Sequence, residues 1–153
     1  MRYVTHSPKE TRSLGEELGK LLRPGDVLVL HGEMGAGKSE LTRGIASGLQ
    51  VDGPIASPTF TILQAYDSGR LPLYHFDWYR INDPDELYEI GTGEYLSGEG
   101  VSVVEWPERA PGMLPEAYLQ ISLAYGAGEN ERHIEITPVG GYTNASLGKD
   151  SIV

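Results

Sequence analysis

Two rhythms of apolar residues alternate along the chain. The first is helical. Ser7-Pro8-Lys9-Glu10 combines an N-cap residue, a proline at the first helical position and a capping-box glutamate, and Leu14, Leu18, Leu21 and Leu22 then supply one apolar stripe. Arg23-Pro24-Gly25 ends this helix, which Gly15 and Gly19 weaken and whose expected role is packing over a sheet. Asp26-Val27-Leu28-Val29-Leu30-His31 changes the rhythm to a short apolar run, the mark of a buried strand. Leu41, Ile45 and Leu49 then return to helical spacing. Gly44 and Gly48 lie within that helix, each costing roughly 1 kcal/mol relative to alanine, and close packing against the sheet is the expected reason for them.

The second half of the chain is richer in strands. Thr61 to Tyr66 and Leu71 to Asp77 read as a hairpin turned by Asp67-Ser68-Gly69-Arg70. Asp83-Pro84-Asp85-Glu86 starts a short helix with Leu87 and Ile90 as its apolar contacts, ended by Gly91. Val101-Ser102-Val103-Val104-Glu105-Trp106 is a buried strand, and Pro107 to Pro115 an irregular surface turn. Leu119 to Tyr125 and Arg132 to Thr137 alternate apolar and polar residues and form an antiparallel hairpin across Gly126-Ala127-Gly128-Glu129-Asn130. Beyond Pro138 the periodicity is lost, so residues 1–138 are expected to form the domain and 139–153 a flexible tail. The order of elements predicts a three-layer α/β domain of the P-loop NTPase type, with a mixed central sheet flanked by helices.

Composition narrows the function. A chain of 153 residues fits one domain, and 39% hydrophobic with 22% charged residues fits an ordinary globular protein. No apolar run approaches a membrane span, no signal-peptide pattern opens the chain, and there are no cysteines, so a cytoplasmic location without membrane association is the expectation. A net charge of −10 disfavours direct nucleic-acid binding and leaves RNA to be reached through a partner.

Chemistry concentrates between the first strand and the second helix. Gly32-Glu33-Met34-Gly35-Ala36-Gly37-Lys38-Ser39 has the G-x-x-x-x-G-K-[ST] spacing of a phosphate-binding loop, with Glu40 at its edge. In such a loop, backbone N–H groups and the positive end of the helix cradle phosphate, the lysine reaches the β- and γ-phosphates, and the hydroxyl ligates Mg2+. Asp77 and Glu105 each close a strand, the edge at which open α/β sheets bind ligands, and either can hold Mg2+ or orient water. His75 shares a face with Asp77 and reads as a satisfied structural histidine. Trp106 reads as core or as a lid over a nucleotide, with core favoured by the usual burial of tryptophan. Arg43, Arg80 and Arg109 are candidate arginine fingers.

The phosphate loop together with Arg43-Gly44, Ser57-Pro58-Thr59-Phe60, His75-Phe76-Asp77-Trp78-Tyr79-Arg80 and Val104-Glu105-Trp106-Pro107-Glu108 resembles the TsaE (YjeE) family, as does the opening Ser7-x-x-x-Thr11-x-x-Leu14-Gly15. The resemblance covers about residues 5 to 138. It implies a small bacterial Mg-dependent ATPase that serves the TsaB–TsaD machinery making N6-threonylcarbamoyladenosine at tRNA position 37, without itself transferring the carbamoyl group. It further implies that Lys38 and Ser39 contact phosphate and Mg2+, that Thr59 belongs to a switch-like loop, that Asp77 and Glu105 flank the metal and the attacking water, and that Trp106 lies near the nucleotide. Ser39 stands where the family more often has threonine and keeps the hydroxyl. A small-molecule kinase would use the same loop but needs an acceptor pocket and an arginine-bearing lid. A GTP-operated switch would need the D-x-x-G and N-K-x-D motifs, which do not occur in this chain.

Overall fold

The computed structural model describes residues 1–58 and 60–147. Its elements, in chain order, are β1 (Arg2–Thr5), α1 (Pro8–Leu21), β2 (Val27–His31), α2 (Lys38–Gly48), β3 (Leu63–Tyr66), β4 (Leu73–Asp77), α3 (Asp85–Glu89), α4 (Thr92–Leu96), β5 (Val101–Glu105), β6 (Tyr118–Tyr125) and β7 (Arg132–Val139). The strands form one sheet in the order β1-β7-β6-β2-β5-β4-β3. β2 lies at its centre and runs parallel to β5 on one side and β6 on the other, and β4 runs parallel to β5. Antiparallel pairings β3–β4, β6–β7 and β1–β7 extend the sheet to both edges. Val27, Leu28, Val29 and Leu30 are all buried, as a strand covered on both faces requires.

Each face has its own core. On one, Leu14 and Leu18 of α1 and Leu41 and Ile45 of α2 pack with Leu28, Leu30, Val101 and Val103. On the other, Val27, Val29, Phe76 and Val104 meet Leu87 of α3 and Leu96 of α4 together with Trp78. The result is the expected three layers. Among the described residues, no helix is long and apolar enough to cross a membrane.

The first helix starts as its sequence dictates. Ser7 is extended, its Oγ accepts from the Glu10 N–H at 3.1 Å, and the Glu10 carboxylate accepts from the His6 N–H at 2.9 Å. The glycines expected to weaken α1 and to seat α2 on the sheet instead face one another. A methyl group on Gly44 would stand 2.0 Å from the Arg12 carbonyl oxygen, and one on Gly15 2.4 Å from that of Leu41. Gly19 and Gly48 repeat the contact one turn on, so these residues let two helix backbones touch.

Several expectations need correction. β1 carried no pattern strong enough to be foreseen, yet it pairs with β7 along Arg2↔Glu135 to Thr5↔Arg132. Ile90, expected as an apolar contact, is exposed, and α4 follows α3 after Gly91 adopts a φ of 73°. The stretch Pro107 to Pro115 holds two short 3-10 turns, with Pro107 and Ala110 buried beneath them. The boundary placed at Pro138 falls inside β7. Past it, the Tyr142 hydroxyl donates to Asp26 Oδ2 at 3.1 Å, Asn144 Nδ2 donates to the Leu21 carbonyl at 2.9 Å, and Arg23 donates to the Thr143 carbonyl. Tyr142 and Leu147 also pack on the core, so this part of the expected tail is anchored. The remainder, 148–153, lies outside the described residues, as does Thr59 with its proposed place in a switch-like loop.

Candidate functional site

The carboxyl ends of β2, β4 and β5 and the start of α2 meet at a cavity of about 350 Å3. It is lined by Met34, Gly35, Gly37, Lys38, Ser39, Glu40, Ser57, Asp77, Glu105 and Trp106. Register explains the convergence: Glu105 sits beside Leu30 at the end of β2 on one side and beside Asp77 on the other. Each parallel strand therefore delivers its last residue to the same edge.

The loop's geometry follows from its glycines. Gly37 adopts a φ of 106°, a conformation side chains rarely tolerate, and hands the chain directly into α2. It offers no side chain to cap the helix, so the first-turn N–H groups and the positive helix end are available to an anion at the cavity. Gly32, Glu33 and Ala36 build the turn and do not line the cavity: Ala36 is buried, its N–H bonded to the Glu33 carbonyl at 3.0 Å, while Glu33 faces outward. The tip of the loop is braced from β6, the strand beside β2, and from β7. The Tyr125 hydroxyl donates to the Met34 carbonyl at 2.7 Å, and the Arg132 guanidinium lies 4.6 Å from the centre of the Tyr125 ring.

Lys38 is the most telling side chain. It is only 8% exposed, yet its nearest anion, Glu105 Oε1, is 3.9 Å away, and its ammonium also faces the Trp106 ring at 4.8 Å. An ammonium has three donors, and among the described residues its one carboxylate partner, at 3.9 Å, satisfies them poorly. The cradle therefore suits a ligand rich in anionic oxygens. Ser39 lines the same wall. Among the described residues no group of three or more histidine, aspartate or glutamate side chains could hold a metal by itself. One hydroxyl and one or two carboxylates instead suit Mg2+, which keeps much of its water and shares its ligation with phosphate oxygens.

The remaining candidates separate. Asp77 Oδ1 accepts from the Tyr79 N–H at 2.9 Å, which fixes its side chain at the strand end. Glu40 borders the cavity, but its carboxylate is engaged by Arg12 at 2.7 Å and Arg43 at 2.6 Å, making it part of the α1–α2 clasp. Arg43 is thereby committed away from the site. Arg80 stacks 4.5 Å over Phe60 and Arg109 5.4 Å over Tyr79, and neither lines the cavity. Trp106, read as core or as a lid, does part of both: it is half-buried and packs against the core, is held in a left-handed conformation with φ 57°, and lines the cavity with Tyr79 at 4.8 Å. A non-glycine residue in that conformation costs of order 1–3 kcal/mol and recurs at functional sites.

His75 also departs from its expected role. It is buried, but only one of its nitrogens has a partner: Nε2 donates to Glu105 Oε2 at 2.6 Å, while Nδ1 has none. Sequence reasoning missed this contact together with Tyr125 and Arg132. The one available signal was the spacing of two between His75 and Asp77, which puts both on one face of β4.

Comparison with known proteins gives the arrangement its relatives. A family model described as "Threonylcarbamoyl adenosine biosynthesis protein TsaE" matches residues 5–134. The chain is 43% identical over 140 residues to the tRNA threonylcarbamoyladenosine biosynthesis protein TsaE of Bacillus subtilis, covering 92% of this chain and 87% of that one. It is 45% identical over 123 residues to the protein of the same name from Treponema pallidum, covering 80% and 90%. The crystal structure of Bacillus subtilis YdiB superposes with a TM-score of 0.77 at 38% identity, covering 92% of this chain and 86% of that one. With the match spanning the loop, both strand-end carboxylates and nearly the whole sheet, the chain belongs to the TsaE family.

Proposed function

We propose that this protein is a Mg-dependent ATPase of tRNA threonylcarbamoyladenosine biosynthesis that works in the cytoplasm with TsaB and TsaD and meets tRNA through them. The relatives' names support the pathway. The observation that carries the chemistry is Lys38, a buried side chain at the N-terminus of α2 whose one carboxylate partner among the described residues stands 3.9 Å from the ammonium, opposite the cavity's two strand-end carboxylates.

In this reading Lys38 and the first N–H groups of α2 bind the β- and γ-phosphates of ATP. Ser39 and Glu105, the carboxylate nearer Lys38, would hold Mg2+, which supplies positive charge to the phosphate oxygens when bound. Asp77, one strand further out, accepts a hydrogen bond from a water and orients it toward the γ-phosphorus. The water's oxygen forms the new bond to phosphorus as the bond to the bridging β,γ-oxygen breaks, and the proton it sheds passes to a phosphate oxygen or to solvent, giving ADP and phosphate. Trp106 walls the site and limits other water. None of Arg43, Arg80 and Arg109 lines the cavity, so among the described residues Lys38 is the one cation in its lining. An arginine finger is worth roughly 10³ to 10⁵ in rate, so the isolated chain should be slow and a partner should stimulate it.

The test is ATP hydrolysis by the chain alone and with TsaB–TsaD, counting modified tRNA in parallel. Stimulation by the pair, with both hydrolysis and repeated tRNA modification lost in Lys38→Ala, is the expected result. Hydrolysis indifferent to the pair overturns the partnership, and ATP-dependent phosphorylation of a small hydroxyl substrate would replace the ATPase reading with a kinase.

A further inference from the structure

We propose that His75 is a positioning residue for the reaction at this cavity, one that fixes the carboxylate of Glu105 so that one oxygen is drawn into the sheet and the other faces Lys38. The inference rests on the ATPase reading above and adds a role for a side chain that does not line the cavity.

β4 and β5 are parallel neighbours in which Asp77 pairs with Glu105 and His75 with Val103, so His75, two residues before the strand end, lies on the same face of the sheet as Glu105. His75 is 3% exposed and Glu105 8% exposed. Nε2 meets Oε2 at 2.6 Å, and the other carboxylate oxygen, Oε1, is the one 3.9 Å from Lys38 Nζ. A carboxylate oxygen accepts, so the ring proton sits on Nε2. The two oxygens of Glu105 therefore have different occupations, and the bond from His75 sets which one is presented to the cavity.

The other ring nitrogen shows that packing alone is a poor account of His75. Nδ1 is buried with no hydrogen-bond partner. A buried polar atom left unpaired lowers stability, and an apolar ring of similar size would avoid that loss. What an apolar ring could not do is hold Glu105. Histidine–carboxylate contacts of this kind, one step removed from a metal or substrate, fix the rotamer of the group that acts.

The experiment uses the full chain with His75→Phe, which keeps the ring volume without the donor, and His75→Gln, whose amide nitrogen reaches the place of Nε2. kcat, KM, nucleotide affinity and Tm are measured for each, alone and combined with Glu105→Gln. His75→Phe is expected to lower kcat by about 10- to 100-fold with nucleotide affinity and Tm held or Tm raised, His75→Gln to restore most of the loss, and His75→Phe to cost little more once Glu105 is changed. Wild-type kcat in His75→Phe, or the same fold loss with and without Glu105→Gln, overturns the proposal. If His75→Phe does not fold, His75→Asn, whose amide is too short to reach Glu105, takes its place against His75→Gln. A crystal structure of the Phe or Asn variant gives a readout independent of turnover: Glu105 is expected to leave its position, and an unmoved Glu105 refutes the assignment. Failure of the parent reading looks different, since wild-type hydrolysis would then be absent or would survive Lys38→Ala.

Discussion

The contact between α1 and α2 can be tested by adding a single methyl group. In Gly44→Ala the new carbon would stand 2.0 Å from the Arg12 carbonyl oxygen, where an ordinary contact begins near 3.4 Å, and 2.9 Å from the Glu16 nitrogen. Both obstacles are backbone, so no side-chain rotation relieves them and the helices must part by more than an ångström. Alanine in place of glycine inside a helix gains about 1 kcal/mol. Overpacking that moves backbone costs about 3 kcal/mol, the upper end of its usual range. The clash wins, leaving a net loss of about 2 kcal/mol, or roughly 4–8 °C in Tm for a domain of this size. Gly93→Ala is the control: it lies in α4 with nothing within 4 Å of the added carbon, so it should be neutral or slightly stabilising. Thermal and urea unfolding of both variants measure the difference. Because α2 begins at Lys38, Gly44→Ala should also weaken nucleotide binding. If Gly44→Ala matches Gly93→Ala in stability, the account of α1–α2 packing is refuted.

Two further outcomes follow from single contacts. Tyr125→Phe removes the 2.7 Å hydrogen bond that braces Met34, worth about 1 kcal/mol, so ATP affinity by calorimetry should fall about fivefold, and an unchanged affinity would show that the loop holds itself. Burial, with Asp26 beside it, raises the pKa of the Tyr142 phenol, so the folded chain keeps that proton more firmly than the unfolded one. The resulting stability is present below the ordinary tyrosine range near 10 and is lost as pH rises through the raised value, so between about pH 9 and 11 the urea midpoint should fall more in wild type than in Tyr142→Phe.

What the sequence revealed and what it concealed divide along the range of the interactions. The phosphate loop, its strand and its helix were legible because each is specified by neighbours: Pro24-Gly25 opens β2, the loop glycines permit the turn, and Leu41 and Ile45 set the stripe of α2. Asp77 and Glu105 were legible as strand ends, and the resemblance of the surrounding motifs to one family held across nearly the whole domain. Contacts that depend on strand order were not legible. His75 meets Glu105 only because β4 lies beside β5, and Tyr125 reaches Met34 across 91 residues of chain. β1 has four residues and becomes a strand by borrowing the edge of β7, which no local pattern announces. Gly15 and Gly19 read as a weakness of α1 and Gly44 and Gly48 as a means of seating α2 on the sheet, and only their meeting explains both. For Trp106 the usual burial of tryptophan pointed to the core and the family resemblance to the nucleotide; a left-handed turn after β5 sets the ring beside Lys38 while it still packs on the core.

The most direct measurement is calorimetric titration of ATP into the chain with and without Mg2+, beside Lys38→Ala. Binding of one ATP per chain, strengthened by Mg2+ and lost when Lys38 is removed, is the predicted result. An affinity that Lys38→Ala leaves unchanged, or no binding at all, would contradict the assignment of the cavity between α2 and the ends of β4 and β5 as a nucleotide site.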